Sequence, residues 1–277
     1  MWWRSVALRV LVGWALLSGT VSAASLEQIQ ACLAANVPKK SSALTVKLQS
    51  RHAGGFKTQH QARIYSRRSP EDRAESLLCM TQPRDVRGLA YLLLEGERGV
   101  AVWGYLPEKH RVLQIHAATA ARRARIARTA ISYDDLRYLP INVSGAEPGE
   151  ISDSEIAGRK VSVVGLSPPP GEDSLYARII AFIDGESCVP LRIEFYETVD
   201  KLLKILSVDP GKIRASGGIR LGHSMTIEDL KNGVVTELEV EQVRIDPDLP
   251  ETMFTPTQLQ RNQCRAREHA ALDSADD

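Results

Sequence analysis

Apolar and polar residues alternate along most of this chain, and that pattern constrains the fold more than any other feature of the sequence. In PLRIEFYETVD, Leu191, Ile193 and Phe195 alternate with polar or amphipathic residues, as in a strand with one buried face. Similar runs recur from residue 43 onward, and Asn232-Gly233 separates two of them, which is a strong signal for a hairpin turn. The sequence therefore predicts a mainly β protein with one curved antiparallel sheet of about ten strands.

Two short segments have the pattern of helices instead. In SLEQIQACLAANVP, Ser25 and Gln28 have the spacing of a capping box and apolar residues recur up to Leu33, which predicts a short amphipathic helix. A second helix is expected in SYDDLRYL, residues 132–139, with Ser132 as its N-cap.

The beginning of the chain has the features of an export signal. Arg4 and Arg9 precede a short apolar stretch and then small residues at the two positions that signal peptidase reads. That stretch is shorter than the ~20 apolar residues that a membrane-spanning helix needs. We expect a cleaved signal peptide at residues 1–23, a single exported β domain at 24–265 and a flexible tail at 266–277.

The charge balance argues against a nucleic-acid partner. Loss of Arg4 and Arg9 with the signal peptide changes the formal net charge from +1 to −1. Nucleic-acid-binding domains instead carry a clustered excess of basic charge.

Four cysteines lie beyond the signal peptide, and none forms a C-x-x-C pair (Cys32, Cys79, Cys188 and Cys264). The spacing is not that of zinc or thioredoxin-like sites, and an even number in an exported protein indicates disulfides. Four cysteines allow three pairings, and the sequence does not choose among them.

The strongest enzyme-like motif is LGHSMT, in which Ser224 is followed along the chain by Asp246 and His269, the order of an esterase triad. Thr226 replaces the final glycine of the nucleophile elbow, and the surrounding segments are antiparallel hairpins rather than alternating strands and helices. His269 lies in the weakly structured tail. We therefore do not predict an enzyme, and an esterase remains a remote alternative.

Other titratable residues are given structural interpretations. The histidines have no Cys or carboxylate at ligand spacing, so they are predicted to be solvent-facing or edge residues (His52, His60, His110 and His116). Asp134 and Asp135 fall in the first turn of the predicted second helix, where a carboxylate is favoured by the helix dipole.

The stretch VAVWGYLPEKHRVLQIHA, residues 100–117, has unusually apolar strands. Trp103 and Tyr105 share one side of its first run, and Leu113 and Ile115 share one side of its second. This surface could belong to an ordinary core, or it could line a pocket for an acyl chain. Alternation alone leaves both possibilities open.

Four arginines are concentrated just before the second predicted helix (Arg122, Arg123, Arg125 and Arg128). They could form a solvated loop. In an exported protein, they could also dock on anionic lipid headgroups or an acidic partner.

Six fragments in order resemble the outer-membrane lipoprotein-sorting (LolA-like) proteins of Gram-negative bacteria. They are PRDVRG, YLLLE, YLPEKHRV, ISYDDL, PLRIEFYE with Lys204 after it, and MTIEDLKNGVVTELEVEQVRIDPDLPETMFTPTQL. The resemblance runs from about Cys32 to Leu259. It implies an unclosed β-barrel with short helices covering its mouth. It also implies a monomeric, cofactor-free periplasmic carrier that moves a lipid or lipoprotein acyl chain between the inner and outer membranes. An inner-membrane transporter is its expected partner, with transient membrane contact.

On this resemblance, the ligand is expected to contact residues of the concave face and a lid (Trp103, Tyr105, Leu113, Ile115, Leu191, Ile193 and Phe195 on the face; Tyr133 and Leu136 on the lid). Replacement of Trp103 by Glu would then remove bound lipid. A ligand-free envelope scaffold that binds a transporter is the alternative. Relatives tend to have Gly-Thr-Asp where this chain has Arg128-Thr129-Ala130, so the movement or docking of this loop could differ.

Overall fold

The computed structural model describes residues 25–96, 99–115, 124–133, 135, 147–167, 174–198, 200–261 and 264. These residues include two α-helices and fifteen β-strands: α1 (Leu26–Ala35), β1 (Ser41–His52), β2 (Lys57–Arg68), β3 (Ala74–Gln82), β4 (Ala90–Gly96), β5 (Gly99–Leu106), β6 (Arg111–Ile115), β7 (Glu147–Ile156), β8 (Arg159–Ser167), β9 (Arg178–Asp184), β10 (Pro190–Thr198), β11 (Lys201–Val208), β12 (Ile213–Ser216), β13 (Ile219–Gly222), β14 (Ser224–Asp229), β15 (Val234–Ile245) and α2 (Pro256–Gln260). The predicted signal peptide, tail and most of the second predicted helix lie outside the described residues. No described helix combines the length and apolar character needed to cross a membrane.

Thirteen strands form one antiparallel sheet, which confirms the predicted fold class. The strand order is β6-β5-β4-β3-β2-β1-β15-β14-β11-β10-β9-β8-β7. The sheet curves without closing, so β6 and β7 are its two edges. Almost every neighbour in this order is joined by a short hairpin, as the turn signals in the sequence indicated.

The strand count exceeds the prediction of about ten because several strands lack an apolar stripe. β7 has the sequence EPGEISDSEI, in which polar residues occupy both faces, so apolar alternation does not reveal it. β12 and β13 are only four residues each and pair separately. Gly217 and Gly218 connect them with positive φ angles, which glycine adopts readily.

The two faces of the sheet bear separate apolar clusters. The larger cluster includes Val46, Leu78, Ile193 and Leu238, and we call the face that carries it the inner face. The smaller cluster lies on the outer face. Strands β1 to β5 contribute to both clusters because their successive side chains point to opposite sides.

Helix α1 forms as the sequence predicted, with a complete capping box between Ser25 and Gln28. Ile29 and Leu33 bury its apolar side in the main cluster, and Cys32 is bonded to Cys188. Cys188 lies in the turn between β9 and β10. Helix α1 is therefore fixed over the end of the inner face where this turn lies.

The second disulfide joins Cys79 of β3 to Cys264, so the structure resolves the pairing that the sequence left open. The segment before Cys264 lies on the outer face, where Met253, Phe254 and Leu259 pack in the smaller cluster. Helix α2 contacts β4, β5 and β6. It therefore covers the outer face of the sheet. The resemblance had implied helices over the mouth of the barrel.

Candidate ligand-binding face and the segment that covers it

The chain between β6 and β7 passes from one edge of the sheet to the other. Its described part, residues 124–133 and 135, is called the crossing segment below. Ile126, Ala130 and Ile131 of this segment are buried in the main cluster on the inner face. The crossing segment therefore occupies the open side of the sheet with apolar side chains.

The crossing segment has a compact conformation of its own. The Ile126 amide donates to the Ile131 carbonyl oxygen (2.8 Å). The Thr129 hydroxyl donates to the Ile126 carbonyl oxygen (2.8 Å) and accepts from the Ile131 amide (3.2 Å). Ala127 and Arg128 have φ angles of 46° and 62°, a region that costs most residues other than glycine free energy.

Replacement of Arg128 by Gly is expected to raise the free energy of unfolding by about 1 kcal/mol, because glycine adopts a positive φ angle without steric cost. Urea unfolding of Arg128→Gly and Arg128→Ala tests this prediction. The alanine variant removes the same side chain but keeps the backbone strain, so equal stabilities of the two variants would contradict it.

A buried lysine binds the crossing segment to the sheet. Lys204 of β11 is only 4 % exposed, and its ammonium donates to the Asp135 carboxylate (2.6 Å), the Ala130 carbonyl oxygen (3.0 Å) and the Ser132 hydroxyl (3.1 Å). Asp135 is equally buried, at 4 %. Because the ammonium has three acceptors, its burial is compensated by hydrogen bonds and by a charge.

Asp135 is also held by neutral donors. Its carboxylate accepts from the Ser132 amide (2.6 Å) and from the Tyr176 hydroxyl. The expectation that Asp135 merely complements a helix dipole is therefore wrong, because the residue is one half of a buried ion pair.

A second polar contact lies on β15. The Ala130 amide donates to the Thr236 hydroxyl (2.7 Å), which is also 2.8 Å from the Ser50 hydroxyl of β1. Together with Lys204, Thr236 satisfies both backbone polar groups of Ala130. The crossing segment is thus held by directed polar contacts at the middle of an apolar face.

Tyr133 packs against the main cluster, beside Tyr91 of β4. Their ring centroids are 5.1 Å apart, and the Tyr133 hydroxyl donates to the Tyr91 hydroxyl (3.3 Å). Burial and the neighbouring Tyr133 raise the pKa of the Tyr91 phenol far above its ordinary value, so Tyr91 is neutral throughout the physiological range.

The register of β5 and β6 separates the residues that the sequence grouped. Trp103 lies opposite Gln114, whereas Leu113 lies opposite Gly104 and Ile115 lies opposite Val102. Residues directly opposite in antiparallel strands share a face. Leu113 and Ile115 therefore lie on the inner face with Val102, and Trp103 and Tyr105 do not.

Trp103 and Tyr105 pack on the outer face, in the cluster that the segment before Cys264 covers. The expectation that they share one concave face with Leu113 and Ile115 is wrong, because the turn at Pro107–Lys109 fixes the opposite register. A Trp103→Glu variant consequently does not probe the inner face.

The remaining residues named from the sequence lie as follows. Leu191, Ile193 and Phe195 are almost fully buried at alternate positions of β10, and Ile193 and Phe195 belong to the main cluster. Leu113 is 38 % exposed near the edge. Arg125 and Arg128 are in the crossing segment, whereas Leu136, His116 and two of the arginines lie outside the described residues (Arg122 and Arg123).

The prediction of solvent-facing histidines holds for His110 and fails for His60. His60 is 6 % exposed and lies opposite Leu48 of the main cluster. Burial lowers its pKa, with Asp85 opposing and Arg128 reinforcing that shift. It is a neutral inner-face residue close to the crossing segment.

Ser224 is the first residue of β14 and pairs with Glu239 of β15. A nucleophile elbow requires a sharp turn from a strand into a helix, and here the serine begins an antiparallel strand instead. Asp246 accepts from the Lys40 and Ser41 amides, and these bonds lower its pKa. His269 lies outside the described residues.

Sequence reasoning missed Lys204, Tyr176 and Thr236 as residues of the candidate site. A signal was present for two of them: Lys204 and Thr236 occupy buried positions within the alternating strands KLLKILSV and VVTELEVEQVRI. A polar residue at an apolar position of a strand requires a polar partner on the same face. That partner comes from the crossing segment, far away in sequence.

Comparisons with known proteins agree with this architecture. A putative outer membrane lipoprotein-sorting protein domain from Vibrio parahaemolyticus is 25% identical with a TM-score of 0.75, over 85% of this chain and 97% of that chain. A DUF1329 family protein from Desulfovibrio piger is 21% identical with a TM-score of 0.76, over 84% and 96%. A LolA superfamily protein from Nitrosomonas europaea is 18% identical with a TM-score of 0.64, over 82% and 97%.

No protein with a curated description matches the sequence. A family model with the description "Uncharacterized protein" matches residues 72–261, a range that contains β3 to β15, the crossing segment and Lys204. The chain therefore belongs to this uncharacterized family, and its fold is that of the LolA-like lipoprotein-sorting proteins.

Proposed function

We propose that this protein is a periplasmic carrier that binds a lipid or lipoprotein acyl chain on its inner face and moves it between the inner and outer membranes. An inner-membrane transporter would supply the cargo, and contact with each membrane would be transient. The carrier would act as a monomer without a cofactor or catalytic group.

The crossing segment is the observation that carries this proposal. The sheet is open and its inner face is apolar; among the described residues, helix α1 covers one end of that face and the crossing segment covers its middle. Lys204, Asp135 and Thr236 hold that cover by polar bonds, which can be exchanged with water when the segment moves away. This arrangement would allow a ligand to replace the crossing segment on the apolar inner face.

The energetics favour an acyl chain as that occupant. Each methylene transferred from water to an apolar face contributes roughly 0.8 kcal/mol, so a long chain can offset displacement of Ile126, Ala130 and Ile131. Binding then requires few polar contacts. Release requires the segment to return or a better acceptor to compete.

The likeness to a lipoprotein-sorting domain and the two disulfides support the proposed location. Disulfides persist in oxidising compartments such as the periplasm, and the structure has the bonds Cys32–Cys188 and Cys79–Cys264. The signal peptide predicted at residues 1–23 agrees with export.

One observation favours a ligand-free scaffold instead. In the described state, Ile126 and Ile131 fill part of the inner face and are almost completely buried. A protein whose crossing segment never leaves would have a dry core and would act through its surface, with Arg125 and Arg128 available to an acidic partner.

Mass spectrometry of an organic extract from the exported, purified protein distinguishes these functions. We expect about one lipid per protein chain, and we expect an Ile115→Glu variant to lose it. Ile115 packs on the inner face at the edge strand β6, where a new carboxylate would be forced against the acyl chain at a cost of several kcal/mol.

Gln114→Glu is the matched control, because the neighbouring residue points to the outer face and receives the same charge. It should retain the lipid. If the unmodified protein is empty even after incubation with membranes, the scaffold function is favoured. If the two variants carry equal amounts of lipid, the binding site does not lie on the inner face.

A further inference from the structure

Three buried polar atoms near one end of the inner face have no hydrogen-bond partner within the described structure. They are Nε2 of His52, Oγ1 of Thr58 and Nδ1 of His60. Buried polar atoms are nearly always paired in native proteins. Three unpaired atoms on two adjacent strands therefore indicate a partner group that the described residues do not supply.

The strand register places these three side chains on the same face. His60 lies opposite Leu48, and Thr58 lies opposite Ser50. His52 lies opposite Val234, which belongs to the main cluster. Ser50 contacts Thr236, so the three residues adjoin the place where Ala130 of the crossing segment is held.

The chemistry of the cluster fits a group rich in oxygen acceptors. A hydroxyl and a neutral imidazole can each donate one hydrogen bond, and the register places Thr58 and His60 two residues apart on the same face of β2. The described residues contain no group of three His, Cys, Asp or Glu side chains that could hold a metal ion. A carboxylate or a phosphate has several acceptor oxygens, so one acidic headgroup can accept from more than one of these donors.

From this geometry we infer that His52, Thr58 and His60 form a subsite for the acidic headgroup of an amphiphile, a carboxylate or a phosphate. The inference rests on the proposed carrier function. The acyl chain would lie along the apolar inner face, and the headgroup would lie at the end marked by the turns at residues 53–56 and 230–233. The crossing segment covers the subsite until cargo replaces it.

His223 shows why a single unpaired atom does not suffice. Its Nε2 is also buried without a partner, but its Nδ1 is paired with the Val240 carbonyl oxygen (3.2 Å). His223 directly precedes β14, so β15 and β1 lie between it and β2, the strand of Thr58 and His60. His223 is therefore a matched control outside the proposed subsite.

Competition between ligands of equal chain length tests the inference. Delipidated protein is loaded with a neutral fluorescent apolar probe, which is displaced by dodecanoate or by 1-dodecanol at pH 8. We expect dodecanoate to bind at least about tenfold more tightly, the difference that a charge-assisted hydrogen bond provides. The matching pair for phosphate is dodecanoyl lysophosphatidate and its neutral counterpart, monododecanoylglycerol. Whichever pair shows the larger preference for its acidic member identifies the headgroup as a carboxylate or a phosphate.

Thr58→Val and His60→Phe remove the donors with little change in size. Each should abolish the preference for the acidic ligand and leave the affinity for dodecanol unchanged, whereas His223→Phe should keep the preference. Equal binding of acid and neutral ligands by the unmodified protein would overturn the subsite and leave the carrier function standing. Failure of every ligand to displace the probe would overturn both.

Discussion

Replacement of Lys204 by Met is expected to lower the free energy of unfolding by about 3–5 kcal/mol, the usual cost of removing one partner from a buried ion pair. The variant keeps a side chain of similar length and removes the only cation recorded within hydrogen-bond distance of Asp135 in the described structure. It also deprives Ala130 and Ser132 of their donor. Urea denaturation monitored by circular dichroism measures the loss.

Lys201→Met is the matched control on the same strand. Its ammonium also pairs with a carboxylate, that of Glu197 at 2.5 Å, but the lysine side chain is 58% exposed. An exposed pair contributes at most about 1 kcal/mol. Similar losses in the two variants would contradict the importance of burial at Lys204.

The same substitution should loosen the crossing segment. Hydrogen exchange of the Ala130 and Ser132 amides should become faster in Lys204→Met. The Ala130 carbonyl oxygen loses its donor, and the Asp135 carboxylate that accepts from the Ser132 amide loses its counter-ion. A double variant, Lys204→Met with Asp135→Asn, should recover part of the stability because no charge remains buried without a partner. Unchanged exchange in the single variant would show that the segment is held by its apolar contacts alone.

The class of fold could be predicted from the sequence because alternation reports directly which residues of a strand are buried. Which residues of neighbouring strands share a face could not be predicted from the sequence. A run of alternating residues does not say how it is aligned with its neighbour, and a shift of one residue moves every side chain to the other face. The turn after Leu106 set that alignment, which separated Trp103 from Ile115.

The polar part of the candidate site was hidden for a different reason. Lys204 and Asp135 are 69 residues apart, and each looks ordinary within its own segment. His60 looked like an edge residue because its strand, KTQHQARIYSRR, is polar on both faces. Its burial comes from cover by other parts of the chain, which local patterns do not record.

Removal of the Cys79–Cys264 disulfide is expected to have a comparably large effect. The bond closes a separation of 185 residues, and loss of a disulfide that closes so long a loop costs about 2–5 kcal/mol. A Cys264→Ala variant should lose this much stability. It should also release the segment with Met253, Phe254 and Leu259 from the outer face, since that segment would no longer be covalently attached.

Trp103 makes this release observable. It packs against the cluster that this segment completes, and the other three tryptophans of the sequence precede residue 24. In protein lacking residues 1–23, the fluorescence of Cys264→Ala should therefore shift to longer wavelength as Trp103 meets water. Cys188→Ala breaks the other disulfide, which holds α1 to the inner face, and should lower stability without that shift. A red shift in both variants would contradict the prediction, because it would show that loss of packing on the inner face also exposes Trp103 on the outer face.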